Sequence, residues 1–260
     1  MKMKIFTVLY SLTSYMIGVI ALTGLILFIA DLFIPVTVNT ASPISPAFTG
    51  LAAIIWNLML IVLWGLQHSV MADPFFKEKW TKIVHPAIER STYLLAVAIT
   101  TVLLIALWSP IPVVLWDFSA SSAGTILLVG YFFGWTVVLF STFLINHFHL
   151  FGLEQAYRLI TETQSKEITF VTPLLYRIVR HPMMTGILIA LWCAPTMTVG
   201  RLLFNVVMTA YIIIGTRHEE KTLIRDLGEK YVRYRNKTPM LIPRFGKFFT
   251  PEPAKKTRPL

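Results

Sequence analysis

The sequence predicts an all-α, polytopic membrane bundle of about five spans, the last apolar run folded into a helical hairpin, followed by an amphipathic cytoplasmic C-terminal cap. Three observations carry that reading. The 260-residue chain is 55% hydrophobic and only 14% charged, with a mean hydropathy of +0.67, outside the range of soluble domains. Several apolar runs reach the roughly 20 residues that a helix needs to cross a bilayer, where every backbone N–H and C=O must be satisfied internally. The 23 Lys and Arg outnumber the 13 Asp and Glu and concentrate in particular connections, as the positive-inside rule requires. Topology, not a nucleic-acid partner, therefore explains the formal net charge of +10.

The apolar runs lie at 5–34, 48–70, 91–116, 122–145 and 182–216. Lys2 and Lys4 precede the first, which is too long and too lightly flanked by charge for a cleaved signal peptide and is read as a retained span with Asp31 near its far end. Connections 35–47 and 109–122 carry no Lys or Arg, whereas 71–90 carries Lys77, Lys79, Lys82 and Arg90, and 146–180 carries Arg158, Lys166, Arg177 and Arg180. The basic connections, and with them both termini, belong in the cytoplasm.

The last run would make a helix of about 50 Å, well beyond a bilayer core. "CAPTMTVGR" interrupts it, with Pro195 as breaker and Gly200 as a second weak point. The resulting hairpin has arms at 182–194 and 199–216, the first short for a full crossing, and both ends return to the same side. From His218 onward the composition changes. Leu223, Ile224, Leu227, Tyr231 and Tyr234 mark one face of an amphipathic helix, so the chain divides into a membrane domain, 1–217, and a cytoplasmic cap, 218–260. The single cysteine, Cys193, excludes an intrachain disulfide and any CxxC motif.

Chemistry concentrates where charge meets the spans. His181 precedes Pro182, which disfavours the α region at His181, so the helix starts at the proline with its first N–H groups and positive dipole end free. Arg180 adds a full charge, giving a site suited to a carboxylate or phosphate. Upstream, Thr172 is the expected N-cap and Pro173 the first residue of a short helix ending beside Arg180. The competing reading has Arg180 snorkelling to lipid phosphates. Glu219 and Glu220 stand at the far end of the hairpin, where the helix dipole gives acids no support. Closing the hairpin brings them to Arg180 and His181, setting a cation-binding patch against an anion-binding one for a zwitterionic ligand. The alternative is a set of surface ion pairs with Arg217, Lys221 or Arg225. "NHFHLFGL" ends the fourth run with His147 and His149, which point about 200° apart on a helix, and no third ligand follows at a suitable spacing, so no metal is assigned. "GLQHSVMA" sets Gln67 and His68 near the end of the second run. Two such histidines, His68 with His147 or His181, could instead hold a haem.

With "RHPMMTG", "EEKTLIRDLGEKYVRYRNKTPMLIP", "LQHSVMADPFF…IERSTY" and "NHFHLFGL", the chain resembles the membrane methyltransferases related to isoprenylcysteine carboxyl methyltransferase. More closely it is similar to the bacterial methanethiol S-methyltransferases of the NnrU-like branch, from about Trp56 onward. The resemblance implies S-adenosyl-L-methionine as methyl donor at the cytoplasmic ends of the last helices, with cofactor-binding positions at Tyr176, Arg180, His181, Pro182, Gly186, Glu219, Glu220, Tyr231, Tyr234 and Arg235. It also implies a bacterial inner-membrane location, and a small thiol acceptor, methanethiol, that arrives through the bilayer and leaves as dimethyl sulfide. Met184 stands where the family often has tyrosine, and His149 where the methanethiol branch has an acidic residue. A thiolate is the effective nucleophile. His147, His68 and His181 are the candidates to take its proton, because histidine titrates near neutrality, with Asn146, His149 and Gln67 on the substrate side. Two rivals stay open: a larger lipid or prenylcysteine carboxylate as acceptor, and a non-enzymatic haem-binding protein.

Overall fold

The computed structural model describes residues 2–163 and 170–244. In chain order it contains α1 (Lys2–Ala30), α2 (Gly50–Ala72), α3 (Pro74–Trp80), α4 (Pro86–Leu107), β1 (Val114–Asp117), α5 (Ser122–Ile145), α6 (His147–Leu150), α7 (Leu153–Thr161), a 3-10 turn (Leu174–Arg177), α8 (Pro182–Trp192), β2 (Thr196–Thr198), α9 (Val199–Leu227) and α10 (Glu229–Lys237). Five of the described helices, α1, α2, α4, α5 and α9, are long and apolar enough to cross a membrane. The protein is an all-α integral membrane bundle.

Neighbouring helices pack as a ring. α1 lies on α4, α4 on α2, α2 on α9, α9 on α8 and α8 on α5. The ring closes where the Tyr131 hydroxyl of α5 donates to the Ile26 carbonyl of α1 at 2.5 Å. Its centre holds Phe28, Trp108 and Phe204, with Trp108 edge-on to the other two rings at 6.1 and 5.9 Å, among buried Tyr131, Leu191 and Met208. Outward, α1 exposes Leu9, Leu12, Met16 and Ile20, a surface that costs nothing against lipid tails.

α5 occupies 122–145 as the sequence predicts, whereas the third run shifts. α4 begins at Pro86, with the His85 ring accepting from the Ala87 N–H at 3.2 Å, and stops at Leu107 before Pro110 and Pro112. The remainder of that run becomes loop and β1. The hairpin forms where Pro195 requires it, and β2 at its tip pairs antiparallel with β1, Val114 opposite Thr198 and Asp117 opposite Thr196. β1 belongs to the connection without Lys or Arg, so the tip reaches the end of the bundle opposite Arg180. The short arm gets there because residues 193–198 continue α8 outside the helix, and extended backbone advances about 3.3 Å per residue against 1.5 Å in a helix. A polar chain ties the tip to the end of α1: Thr198 Oγ1 donates to Asn39 Oδ1 at 2.7 Å, and Asn39 Nδ2 donates to Asp31 at 2.8 Å.

Three local expectations change. α9 does not stop near Thr216 but runs to Leu227, so Glu219 and Glu220 lie inside a helix. The single amphipathic helix expected through Tyr234 is broken at Gly228, whose φ of +55° suits glycine; Tyr231 and Tyr234 sit on the separate α10. Thr172 is not a cap. Pro173 takes the N-cap position with extended φ and ψ of −75° and 144°, and the four residues after it make only a 3-10 turn. The expected cap, 218–260, is described as far as 244, and Lys166 lies outside the described residues.

α5 and α8 touch backbone to backbone. A Cβ on Gly186 would lie 2.6 Å from the Gly134 carbonyl oxygen, and one on Gly134 would lie 2.5 Å from that of Gly186. Gly186, expected at the cofactor, is thus placed at a helix crossing.

Candidate active site

His181 is the N-cap of α8 and Pro182 its first residue, as the proline rule predicts. The chain holding this start in place comes from beyond α10. Arg180 N–H donates to the Pro239 carbonyl at 2.9 Å and His181 N–H to that of Met240 at 3.2 Å, while Thr185 Oγ1 donates to the Leu241 carbonyl at 2.7 Å. Into this clamp α9 delivers two carboxylates. Arg180 Nε donates to Glu220 Oε1 at 2.6 Å, and the same oxygen lies 3.1 Å from His181 Nε2. His181 Nδ1 lies 3.5 Å from Glu219 Oε2. Arg180 Nη1 is taken by the carbonyls of Arg235, at 2.9 Å, and Thr238.

The hairpin therefore closes as expected, with one correction. The two patches do not face each other across a gap: Arg180 and Glu220 are in direct contact, with side chains only 9% and 10% exposed, because α9 continues as helix and carries Glu220 onto the buried side. Surface pairing with Arg217, Lys221 or Arg225 gives way, and Arg225 meets Asp226 instead at 3.0 Å. Glu219, at 54%, keeps an open face. Arg235 contributes its carbonyl. The clamp at 238–241 escaped the sequence reading because main-chain hydrogen bonds leave no side-chain pattern; a Thr-Pro step after a helix was the one available signal.

Aromatic rings cover the pair. Tyr231 and Tyr234 of α10 lie 5.8 Å apart, Phe170 packs on both at 6.1 and 5.5 Å, and Tyr234 Oη donates to the Tyr176 carbonyl at 2.5 Å. Burial raises all three phenols above their ordinary range, aided by the charge of Glu219 at Tyr176 and of Glu220 at Tyr231 and Tyr234. A phenol whose folded value is raised stabilises the fold fully below its unfolded value of about 10, and that contribution disappears as pH climbs toward the folded value. Stability is accordingly expected to fall above about pH 10, with Tyr231→Phe and Tyr234→Phe each flattening the decline; unfolding curves recorded against pH, with tyrosinate absorbance, check it.

The remaining candidates form two separate groups. His147 is buried where α6 follows α5. Its Nδ1 lies 2.8 Å from Thr142 Oγ1 and its Nε2 3.0 Å from Tyr15 Oη of α1, and the Phe143 ring stacks on it at 4.3 Å. Asn146 Oδ1 accepts the His149 N–H at 3.1 Å, and its Nδ2 donates to Glu154 at 2.6 Å. His149 is half-exposed, 3.5 Å from Glu154. Because Asn146 separates α5 from α6, the two histidines do not continue the α5 spiral. The second group is His68, stacked on Trp64 at 5.1 Å with the Tyr93 hydroxyl 3.2 and 3.1 Å from its two nitrogens. Gln67 turns away to Thr100 Oγ1, which donates to it at 3.0 Å. All these groups occupy the same end of the ring: the C-terminal ends of α2 and α5, the N-terminal ends of α4 and α8.

No family model matches the chain, and no solved structure matches it. Curated relatives do. Methanethiol S-methyltransferase 1 of Bradyrhizobium diazoefficiens is 40% identical over 92% of this chain and 83% of its own length. The methanethiol S-methyltransferase of Mycobacterium tuberculosis is 41% identical over 91% of this chain and 96% of its own. The chain belongs to the methanethiol S-methyltransferase family. A third member, from Pseudomonas deceptionensis, is 40% identical over 92% of this chain and 90% of its own. Membership implies a methyl donor, and the residues present fit a polar, charged one. Beside the Arg180–Glu220 pair, Thr238 Oγ1 is buried without a hydrogen-bond partner among the described residues. Such an orphaned hydroxyl is what a bound polar molecule would satisfy.

Proposed function

We propose that the protein is an S-adenosyl-L-methionine-dependent methyltransferase of the bacterial inner membrane that converts methanethiol to dimethyl sulfide, with both termini in the cytoplasm. The observation that carries this reading is the Arg180–His181–Glu220 cluster, clamped by 238–241 and roofed by tyrosines, in a chain of this family. When bound, the cofactor supplies an electrophilic methyl on a sulfonium. Glu219, with its open carboxylate, is suited to the amine. Tyr231 Oη and Thr238 Oγ1 are suited to the remaining polar groups, and the rings of Tyr231, Tyr234 and Phe170 to a cationic centre or a base. The Arg180–Glu220 bond holds the start of α8 against α9, and the Arg180 bonds to the Arg235 and Thr238 carbonyls hold it against the end of α10, so the site is preorganised. The bilayer-facing apolar surface lets a small uncharged thiol arrive and a thioether leave without crossing water.

Purified protein given methanethiol and S-adenosyl-L-methionine is expected to release dimethyl sulfide into the headspace, measured by gas chromatography. Release no higher than from a protein-free control overturns the reading.

A further inference from the structure

We propose that Tyr15 takes the proton of the thiol and passes its own to His147, an inference that rests on the methyltransferase reading above. Thr142 Oγ1 carries one hydrogen, and donates it to the Leu139 carbonyl at 2.7 Å. With that hydrogen directed to the Leu139 carbonyl, Oγ1 is the acceptor toward His147 Nδ1, 2.8 Å away, and the ring hydrogen is assigned to Nδ1 on that basis. The other nitrogen of the neutral ring, Nε2, then presents its lone pair to Tyr15 Oη at 3.0 Å, and the hydroxyl donates. Stacking on Phe143, 5° from parallel, holds the ring in that orientation. Burial also lowers the His147 imidazole below its ordinary value, which keeps the lone pair available near neutral pH.

Tyr15 is placed to meet a substrate that comes from lipid. It is half-buried on α1 between Ser14 and Ser11, which are buried, and Leu12 and Met16, which are exposed. Its oxygen accepts nothing from the described residues, so a thiol S–H can donate to it. The other two histidines are committed elsewhere: both nitrogens of His181 lie against Glu219 and Glu220, and the hydroxyl on His68 belongs to buried Tyr93, under the Arg90 guanidinium at 4.6 Å. α5 and α8 run antiparallel in contact, Gly134 on Gly186 and Gly130 on Cys193, so His147 and Arg180 occupy adjacent ends. The charged groups around His147 are Glu154 of α7, held by Asn146 and Arg158, and Arg90 of α4, whose Nε donates to the Leu150 carbonyl at 2.7 Å.

The step balances. The S–H bond breaks as its proton passes to Tyr15 Oη, while the original phenolic proton moves to His147 Nε2. The electron pair left on sulfur forms the new bond to the methyl of the sulfonium donor, whose own C–S pair returns to the donor sulfur. The proton is finally lost from the imidazolium to water.

The test compares two acceptors. Methaneselenol is far more acidic than methanethiol and is already ionised at neutral pH, so it needs no base. Tyr15→Phe is expected to lose about 10²- to 10⁴-fold in kcat/KM with methanethiol, the range for general acid–base catalysis, and to keep near-wild-type turnover of methaneselenol. Calorimetric affinity for S-adenosylhomocysteine should be unchanged. His147→Gln, which still donates to Thr142 but has no titrating lone pair, should show the same selectivity and decides the matter if Tyr15→Phe does not fold. Equal loss with both acceptors, or no loss with either, overturns the relay while dimethyl sulfide production by the wild type leaves the methyltransferase reading standing. A wild type that makes none overturns that reading instead.

Discussion

Replacing Glu220 with alanine is expected to destabilise the protein by about 3–5 kcal/mol, the cost of leaving a buried charge without its partner. The size follows from where the pair sits. Arg180 and Glu220 meet at 2.6 Å with side chains 9% and 10% exposed, whereas an exposed pair contributes only about 0–1 kcal/mol. His181 loses a partner in the same substitution, since Glu220 Oε1 serves both. The carbonyls of Arg235 and Thr238 still accept from Arg180 and moderate the loss without cancelling the charge. Glu220→Gln keeps an acceptor for Arg180 and should cost less than alanine. Both variants should bind S-adenosylhomocysteine more weakly if the proposed site is the donor site, because the pair holds the start of α8 against α9. Chemical unfolding in detergent gives the first quantity and calorimetry the second. A loss below about 1 kcal/mol for alanine would show that the pair behaves as a surface one.

That pair was legible in the sequence because two local rules point the same way: Pro182 starts a helix at the motif, and Pro195 folds the chain back so that Glu219 and Glu220 return to it. Composition and run length likewise gave the spans. What stayed hidden depends on main-chain contacts. The β1–β2 ladder joins two pieces of four and three residues, too short for any alternation to register. The 238–241 clamp works through carbonyls that any residue would supply. Tyr15 was invisible for another reason. It lies inside an apolar run, and only the folded ring brings α1 against the end of α5. His147 and His149 share the short helix α6, and the break before them at Asn146, where the chain leaves α5 and restarts, has no proline or glycine to mark it in the sequence.

The contact between α5 and α8 makes the second large prediction. Gly186→Ala and Gly134→Ala are each expected to destabilise by about 1–3 kcal/mol, the range for forcing extra volume into a packed site. Alanine favours a helix over glycine by up to about 1 kcal/mol, so the sign depends on what the new methyl meets. At Gly186 it meets the Gly134 carbonyl at 2.6 Å and the Val138 backbone nitrogen at 3.0 Å; at Gly134, the Gly186 carbonyl at 2.5 Å and the Ala190 nitrogen at 2.6 Å. These are main-chain atoms of a helix and yield only if the whole helix moves, so sterics outweigh propensity. The two changes ask for the same separation, and the double variant should therefore cost less than their sum, with a coupling of about 0.5–3 kcal/mol. Gly215, where an added Cβ meets nothing within 4 Å, is the control, and Gly215→Ala should be neutral or slightly stabilising. The consequence for the site follows from distance along α8. Gly186 lies about one turn from Pro182, so a helix pushed off α5 carries Arg180 and His181 with it and strains their bonds to Glu220. Gly186→Ala should then weaken S-adenosylhomocysteine binding although Gly186 itself packs on α5, and a thermal shift without any change in that affinity would separate the helix crossing from the position of the site.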